Sequence, residues 1–176
     1  NTQLAEMFTG TLDLIWQVPT DQAEKLGQME QFNVVNESTM RIGYMTLDAA
    51  GRTGADNPFT KLKVRQAVAH AIDSQTLVDA LLKGKSKVVR SACFPSQFGC
   101  VQDVTTYDYN PEKAKELLAE AGYPDGFSTP FYAYRDRQYA EAISSYLNAV
   151  GIDTDFKMLQ YSALRELNMK GEVPLS

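Results

Sequence analysis

The sequence has no long apolar run, and its 176 residues include only one histidine and two cysteines. No window approaches the roughly 18 to 20 consecutive apolar residues of a membrane span. Lysine and arginine number 17 against 22 acidic residues, which gives a net charge of −5. Nucleic acids and anionic membranes are bound by clustered positive charge. The charge composition therefore argues against both as partners.

Catalytic, metal and nucleotide motifs are also missing. Neither GxGxxG nor GxxxxGKS/T occurs, so no phosphate loop is predicted. The single histidine, His70, falls on the polar side of a predicted helix and is interpreted as a solvated surface residue. One histidine and two cysteines do not supply a zinc site. The sequence predicts no enzyme, no metal and no cofactor.

The two cysteines, Cys93 and Cys100, lie in one short stretch that contains proline and glycine. Taken from the residues alone, a local disulfide is possible but not required. A disulfide would indicate an oxidising compartment. The residues alone are compatible with either a disulfide or two free thiols.

The first third of the chain predicts short strands around one helix. Apolar and polar residues alternate over residues 12–16, 31–36 and 39–47, as in half-buried strands. Between the first two runs, Pro19 and the residues after it begin a helix. Residues 48–60 form a long connection that we expect to be exposed.

The rest of the chain shows clearer helical periodicity. A helical pattern from Val64 to Leu82 is interrupted at Asp73, which is predicted to be the N-cap of a second helix. Another helix begins at Asn110 and Pro111 and ends at Gly122.

A strand–helix–strand pattern follows, and it settles the fold class. The predicted ranges are 127–134, 138–150 and 152–158, with a last helix over 162–170. Strands joined by one short crossover helix are expected to be parallel, with a right-handed connection. The predicted class is α/β, with a βαβ unit and flanking helices.

Two stretches in this order resemble signatures of a known family. They are NPFTKLKVRQAVAHAID at 57–73, followed by LVDAL at 77–81, and YNPEKAKELLAEAGYP at 109–124. Both are similar to segments of the oligopeptide- and dipeptide-binding proteins, the extracytoplasmic solute-binding components of ABC importers. The resemblance covers essentially the whole chain.

The resemblance implies one lobe of a periplasmic-binding-protein type II fold. Residues 1–176 would be a partial solute-binding lobe, in which 1–47 is a strand–helix–strand segment leading from the hinge region and 48–176 is the helical and βαβ portion. The C-terminal part of this lobe and the other lobe would be absent. The full-length protein would capture a solute between two lobes for import, without being an enzyme. A short peptide is the expected solute, and nickel chelates, heme and sugars are the other ligands that the family implies.

The family also implies partners and a location. The partners would be a peptide or small-molecule ligand and a cognate membrane permease, with the full-length protein a monomer. The location would be the periplasm, or the extracellular face of a Gram-positive cell with a membrane anchor. A chemoreceptor-associated or signalling module that uses the same fold without transport is the alternative.

The resemblance points to four aromatic ligand contacts. Tyr161 follows the second strand of the βαβ unit, where open α/β sheets form ligand crevices. Tyr44 is predicted to contact the ligand or to pack in the core or between lobes. Phe94 and Phe98 would line the cleft or anchor their own loop. Membership of an exported family leads us to predict that Cys93 and Cys100 form a disulfide.

Overall fold

A computed structural model describes residues 2–37, 39–82 and 86–176. The helices and strands of these ranges are α1 (Thr2–Phe8), α2 (Thr20–Leu26), α3 (Leu62–Ala71), α4 (Ser74–Leu77), α5 (Pro111–Glu120), β1 (Phe127–Ala133), α6 (Arg137–Ala149), β2 (Ile152–Met158) and α7 (Tyr161–Lys170). A 3₁₀ turn at Pro58–Thr60 precedes α3, and a π-helix at Val78–Leu82 follows α4. None of the described helices combines the length and apolar character that crossing a membrane requires.

The chain divides into two compact units. The described residues of 1–38 and 82–86 form the first, and those of 39–81 and 87–176 form the second. The first unit contains α1 and α2, and the rings of Phe8 and Phe32 meet edge to face with centroids 5.3 Å apart. The strands predicted at 12–16 and 31–36 are wrong, because neither region is in a strand. Alternation makes a segment suitable for a strand, but a strand also needs a neighbour to complete its hydrogen bonds.

The core of the second unit lies where α3 and α5 pack together and against the sheet. The predicted apolar stripes of both helices are buried, as is the inner face of the βαβ unit. The buried residues include Val64, Ala67, Val68 and Ala71 of α3, Ala114, Leu117 and Leu118 of α5, and Phe131, Leu147 and Ile152 of the βαβ unit.

The predicted βαβ unit is confirmed. Strands β1 and β2 are parallel, with Phe127 opposite Ile152 and Ala133 opposite Met158. Helix α6 begins and ends one residue earlier than predicted, which is within the usual uncertainty of helix ends. Both strands therefore end at the same edge of the sheet.

The strand predicted at residues 39–47 is reduced to one bridge. Leu47 pairs antiparallel with Leu175, and Thr46 and Ser176 exchange two backbone hydrogen bonds of 2.6 and 3.1 Å. On its other side, the Leu175 carbonyl accepts a 3.0 Å hydrogen bond from the amide of Tyr132 in β1. Leu175 is fully buried, so this short segment joins residues 46–48 to the sheet.

The connection before α3 is partly buried, whereas the sequence predicts an exposed segment. The Asp48 carboxylate accepts hydrogen bonds from the amide of Thr53 (2.8 Å), the amide of Arg52 (3.1 Å) and the side chain of Asn57 (2.9 Å). Asn57 and Phe59 are both buried. Burial acts to raise the pKa of Asp48, but these hydrogen bonds outweigh it and hold that pKa below its ordinary value.

His70 is half-buried, which corrects its interpretation as a solvated residue. Its Nδ1 lies 2.8 Å from the carbonyl oxygen of Asp108, and because that oxygen can only accept, Nδ1 donates. Its ring meets Tyr107 edge to face at 5.4 Å, and its carbonyl accepts from the amide of Asn110. His70 therefore ties the end of α3 to the segment before α5.

Asp73 is the N-cap of α4, as predicted. Thr76 donates to it twice, from its amide to Oδ1 (3.0 Å) and from its hydroxyl to Oδ2 (2.7 Å). These hydrogen bonds hold the pKa of Asp73 below its ordinary value. We expect Asp73→Ala to lower the free energy of unfolding by about 1 kcal/mol, measured by urea denaturation at neutral pH.

The Asp73 carboxylate should stabilise the protein above the ordinary pKa of an aspartate, and this contribution should be lost as the pH falls through the lowered pKa. The difference between wild type and Asp73→Ala should therefore shrink in acid. Weaker ligand binding at unchanged stability would contradict the assignment of Asp73 as a cap.

Candidate ligand-binding site

Two tyrosines meet at the carboxyl edge of the βαβ unit. Tyr134 directly follows β1, and Tyr161 is the first residue of α7, just after β2. Their ring centroids are 5.1 Å apart with an interplanar angle of 54°. The side chains are 38% and 60% exposed, so each offers a ring surface to solvent. The carboxyl ends of parallel strands are where open α/β sheets bind ligands.

An arginine extends this pair. The guanidinium carbon of Arg135 lies 4.6 Å from the centroid of the Tyr134 ring. Among the described residues, no carboxylate forms an ion pair with Arg135, whereas Arg137 is paired with Glu141 at 2.9 Å. A guanidinium without an anionic partner can bind a carboxylate through two parallel hydrogen bonds. Arg135 could therefore bind a negatively charged group at this edge.

Tyr44 belongs to the segment that pairs with the end of the chain. It is 80% exposed and lies two residues before Thr46, the partner of Ser176. The chain from β2 through α7 to the segment around Leu175 is a second strand–helix–strand connection. We therefore expect the segment around Leu175 to run parallel to β1. Because residues 44–47 run antiparallel to Leu175, Tyr44 is then expected at the carboxyl edge as well.

The predicted disulfide between Cys93 and Cys100 is present. The two phenylalanines that it encloses differ in environment. Phe94 is half-buried, with the Lys87 ammonium 5.5 Å from its ring centroid. Phe98 has a relative exposure of 104%. The Phe94 side chain is therefore partly covered, whereas the Phe98 side chain is fully exposed.

A cavity of about 270 Å³ lies at the base of this loop. The segments on either side of the loop, residues 88–90 and 105–107, line it together with Met45 and Leu47. The disulfide loop therefore leaves and rejoins the fold beside the segment that carries Tyr44.

Within the described ranges, the four predicted residues do not form one aromatic cluster. No ring contact joins any two of Tyr44, Phe94, Phe98 and Tyr161 within the described ranges, and the ring partner of Tyr161 is Tyr134. Tyr134 is the last residue of the strand predicted at 127–134, but it lies just beyond the end of β1 and is exposed.

Arg135 was not among the residues predicted from the sequence to contact a ligand. The available signal was position, because Tyr134 is the last residue of a predicted parallel strand and Arg135 directly follows it. Among the described residues, no group of three or more histidine, cysteine, aspartate or glutamate side chains could hold a metal ion.

An aromatic and cationic surface at the carboxyl edge of a parallel sheet is typical of a ligand-binding α/β domain. The chain belongs to the bacterial extracellular solute-binding proteins, family 5 Middle, whose family model matches residues 1–176. The family predicted from the two sequence signatures is thereby confirmed.

Individual relatives match over most of this chain. It is 27% identical to Heme-binding protein A of Haemophilus influenzae, over 98% of this chain and 32% of that protein. It is 31% identical to Glutathione-binding protein GsiB of Salmonella choleraesuis, over 81% of this chain and 27% of that protein.

A solved structure confirms the predicted type II fold. The dipeptide binding protein from Pseudoalteromonas sp. SM9913, in complex with Met-Leu, has a TM-score of 0.86 at 27% identity, covering 99% of this chain and 35% of that chain. The chain thus spans about a third of the length of these proteins.

Proposed function

We propose that residues 1–176 are part of one lobe of the substrate-binding protein of an ABC importer. In this proposal residues 1–47 lead from the hinge region and 48–176 supply the helical and βαβ portion. The full-length protein binds a short peptide between two lobes, as a monomer in the periplasm or at the extracellular face, and delivers it to a cognate permease. It captures its ligand noncovalently and is not an enzyme.

The observation that carries the proposal is the exposed Tyr134, Tyr161 and Arg135 cluster in a chain of this family. A peptide has a carboxylate, which suits a guanidinium with no anionic partner. It also has side chains of varied chemistry, which a tyrosine can meet with an apolar ring face or a hydroxyl. Closure of a second lobe would exclude water and strengthen these polar contacts.

Peptides are the ligand class that this site and the relatives favour together. The Pseudoalteromonas protein was solved with the dipeptide Met-Leu, and GsiB is named for glutathione, which is itself a tripeptide. Heme, for which the Haemophilus protein is named, also has carboxylates, so it is the competing ligand in the experiment.

We expect Tyr161→Ala in the full-length protein to weaken binding of Met-Leu by a factor of about 5 to 150, as for an aromatic ring desolvated in a complex. The melting temperature should change little, because the side chain is 60% exposed. Met169→Ala is the matched control, since Met169 is 68% exposed near the other end of the same helix.

Calorimetry on wild type and both variants, with Met-Leu, glutathione and heme as ligands, tests the proposal. Unchanged affinity in Tyr161→Ala would return Tyr161 to a structural role. Binding of heme alone would contradict the peptide ligand. Uptake of the peptide by cells should require the permease; normal uptake without it would favour the signalling alternative.

A further inference from the structure

The disulfide loop has a restricted backbone. The bond between Cys93 and Cys100 closes a ring with a sequence separation of 7. Inside the ring, the amide of Gln97 donates to the carbonyl of Phe94 (2.8 Å), and the amide of Cys100 donates to the carbonyl of Gln97 (3.0 Å). Two consecutive turns and a covalent crosslink leave the loop few alternative conformations.

The Phe98 side chain is not buried and therefore does not contribute to the hydrophobic core. Its relative exposure is 104%, and no ring or cation contact involves it among the described residues. Phe94, in the same ring, is half-buried, and the Lys87 ammonium lies 5.5 Å from its ring centroid. An apolar ring held out by a restricted loop loses little conformational entropy when a partner contacts it.

The position of the loop indicates the partner. Residues 88–90 and 105–107, which lead into and out of the loop, line the cavity that Met45 also lines, and Met45 follows Tyr44, one of the proposed ligand contacts. We infer that this loop is part of the ligand-binding surface and that the Cys93–Cys100 bond holds Phe98 in place against an apolar side chain of the bound peptide. This inference rests on the proposed function.

The disulfide could instead stabilise the loop without any role for Phe98, and a double-mutant cycle separates the two roles. If the bond acts by positioning Phe98, removing the bond matters only while the ring is present, so the two changes are not additive. If it acts on stability alone, the fold-changes in affinity multiply.

The experiment uses calorimetry on the full-length protein with the dipeptides Met-Leu and Ala-Ala as probes. The variants are Phe98→Ala, the pair Cys93→Ser with Cys100→Ser, and all three changes together. We expect each of the first two to weaken Met-Leu binding by about 5- to 30-fold, and the triple variant to be no weaker than the serine pair. Ala-Ala, which has the same backbone and smaller side chains, should change less than Met-Leu.

Val101→Ala is the matched control, because Val101 is 64% exposed and lies just outside the ring. Its affinity for Met-Leu and its melting temperature should equal those of wild type, as should the melting temperature of Phe98→Ala. The inference would be overturned by any of three results: fold-changes in affinity that multiply in the triple variant, a loss of affinity in Val101→Ala equal to that in Phe98→Ala, or wild-type affinity in Phe98→Ala. Each of these results would leave the proposed function standing. A wild-type protein that binds neither dipeptide would contradict both.

Discussion

Gly126→Ala should destabilise the second unit by about 3 kcal/mol or more. An ideal Cβ at this position would lie 1.8 Å from the carbonyl oxygen of Gly151 and 2.7 Å from its carbonyl carbon. That carbonyl cannot move away freely, because the same oxygen accepts a 3.0 Å hydrogen bond from the amide of Phe127 at the start of β1. The φ of +79° at Gly126 adds the cost of a left-handed backbone.

Gly122→Ala is the matched control. Its φ is +90°, but the nearest atom to a Cβ there is the flexible end of Lys61, at 3.8 Å. It should cost only about 1 to 2 kcal/mol, the penalty for a left-handed residue with a side chain. Urea unfolding followed by circular dichroism measures the free energy of unfolding of both variants. Equal losses of stability would mean that the close approach of Gly126 to Gly151 is not the reason that position 126 requires glycine.

Phe59→Ala should cost about 3 to 5 kcal/mol, because it removes a large side chain and leaves a cavity. The ring of Phe59 has no exposed surface, and it meets the ring of Phe127 edge to face at 5.7 Å. It therefore joins the turn before α3 to β1. The same urea unfolding measurement gives the loss of stability.

Phe98→Ala is the control for this second prediction, since it removes the same side chain from a position with a relative exposure of 104%. It should leave the free energy of unfolding unchanged within about 0.5 kcal/mol. If the two alanine variants were equally stable, the packing of Phe59 would not contribute as the structure indicates.

The starts and stops of several helices could be predicted because their signals are local, although α1 was not predicted. The side chain of Asn110 accepts from the amide of Lys113 at 2.9 Å, and α7 ends at Gly171 with a φ of +78°. Each signal acts within a few residues, so the sequence around it is enough. The βαβ unit was predicted for the same reason, since its strands and helix follow each other directly.

Strand pairing in the first 47 residues could not be predicted, because it depends on distant partners. Thr46 and Ser176 are 130 positions apart, and the alternation around Thr46 contains no information about that partner. The same alternation at residues 12–16 and 31–36 has no strand neighbour among the described residues, and no strand forms there.

The sequence by itself determined the α/β class, the βαβ unit, the caps and the family. The tertiary structure decided which aromatic rings are exposed and which residues are neighbours. It placed Tyr134 beside Tyr161 and Arg135 over the Tyr134 ring, and it distinguished Phe98, which is fully exposed, from Phe94, which is half-buried. The physical reason is that residue type and spacing encode backbone preference, whereas exposure and contact arise only when segments far apart in the chain pack together.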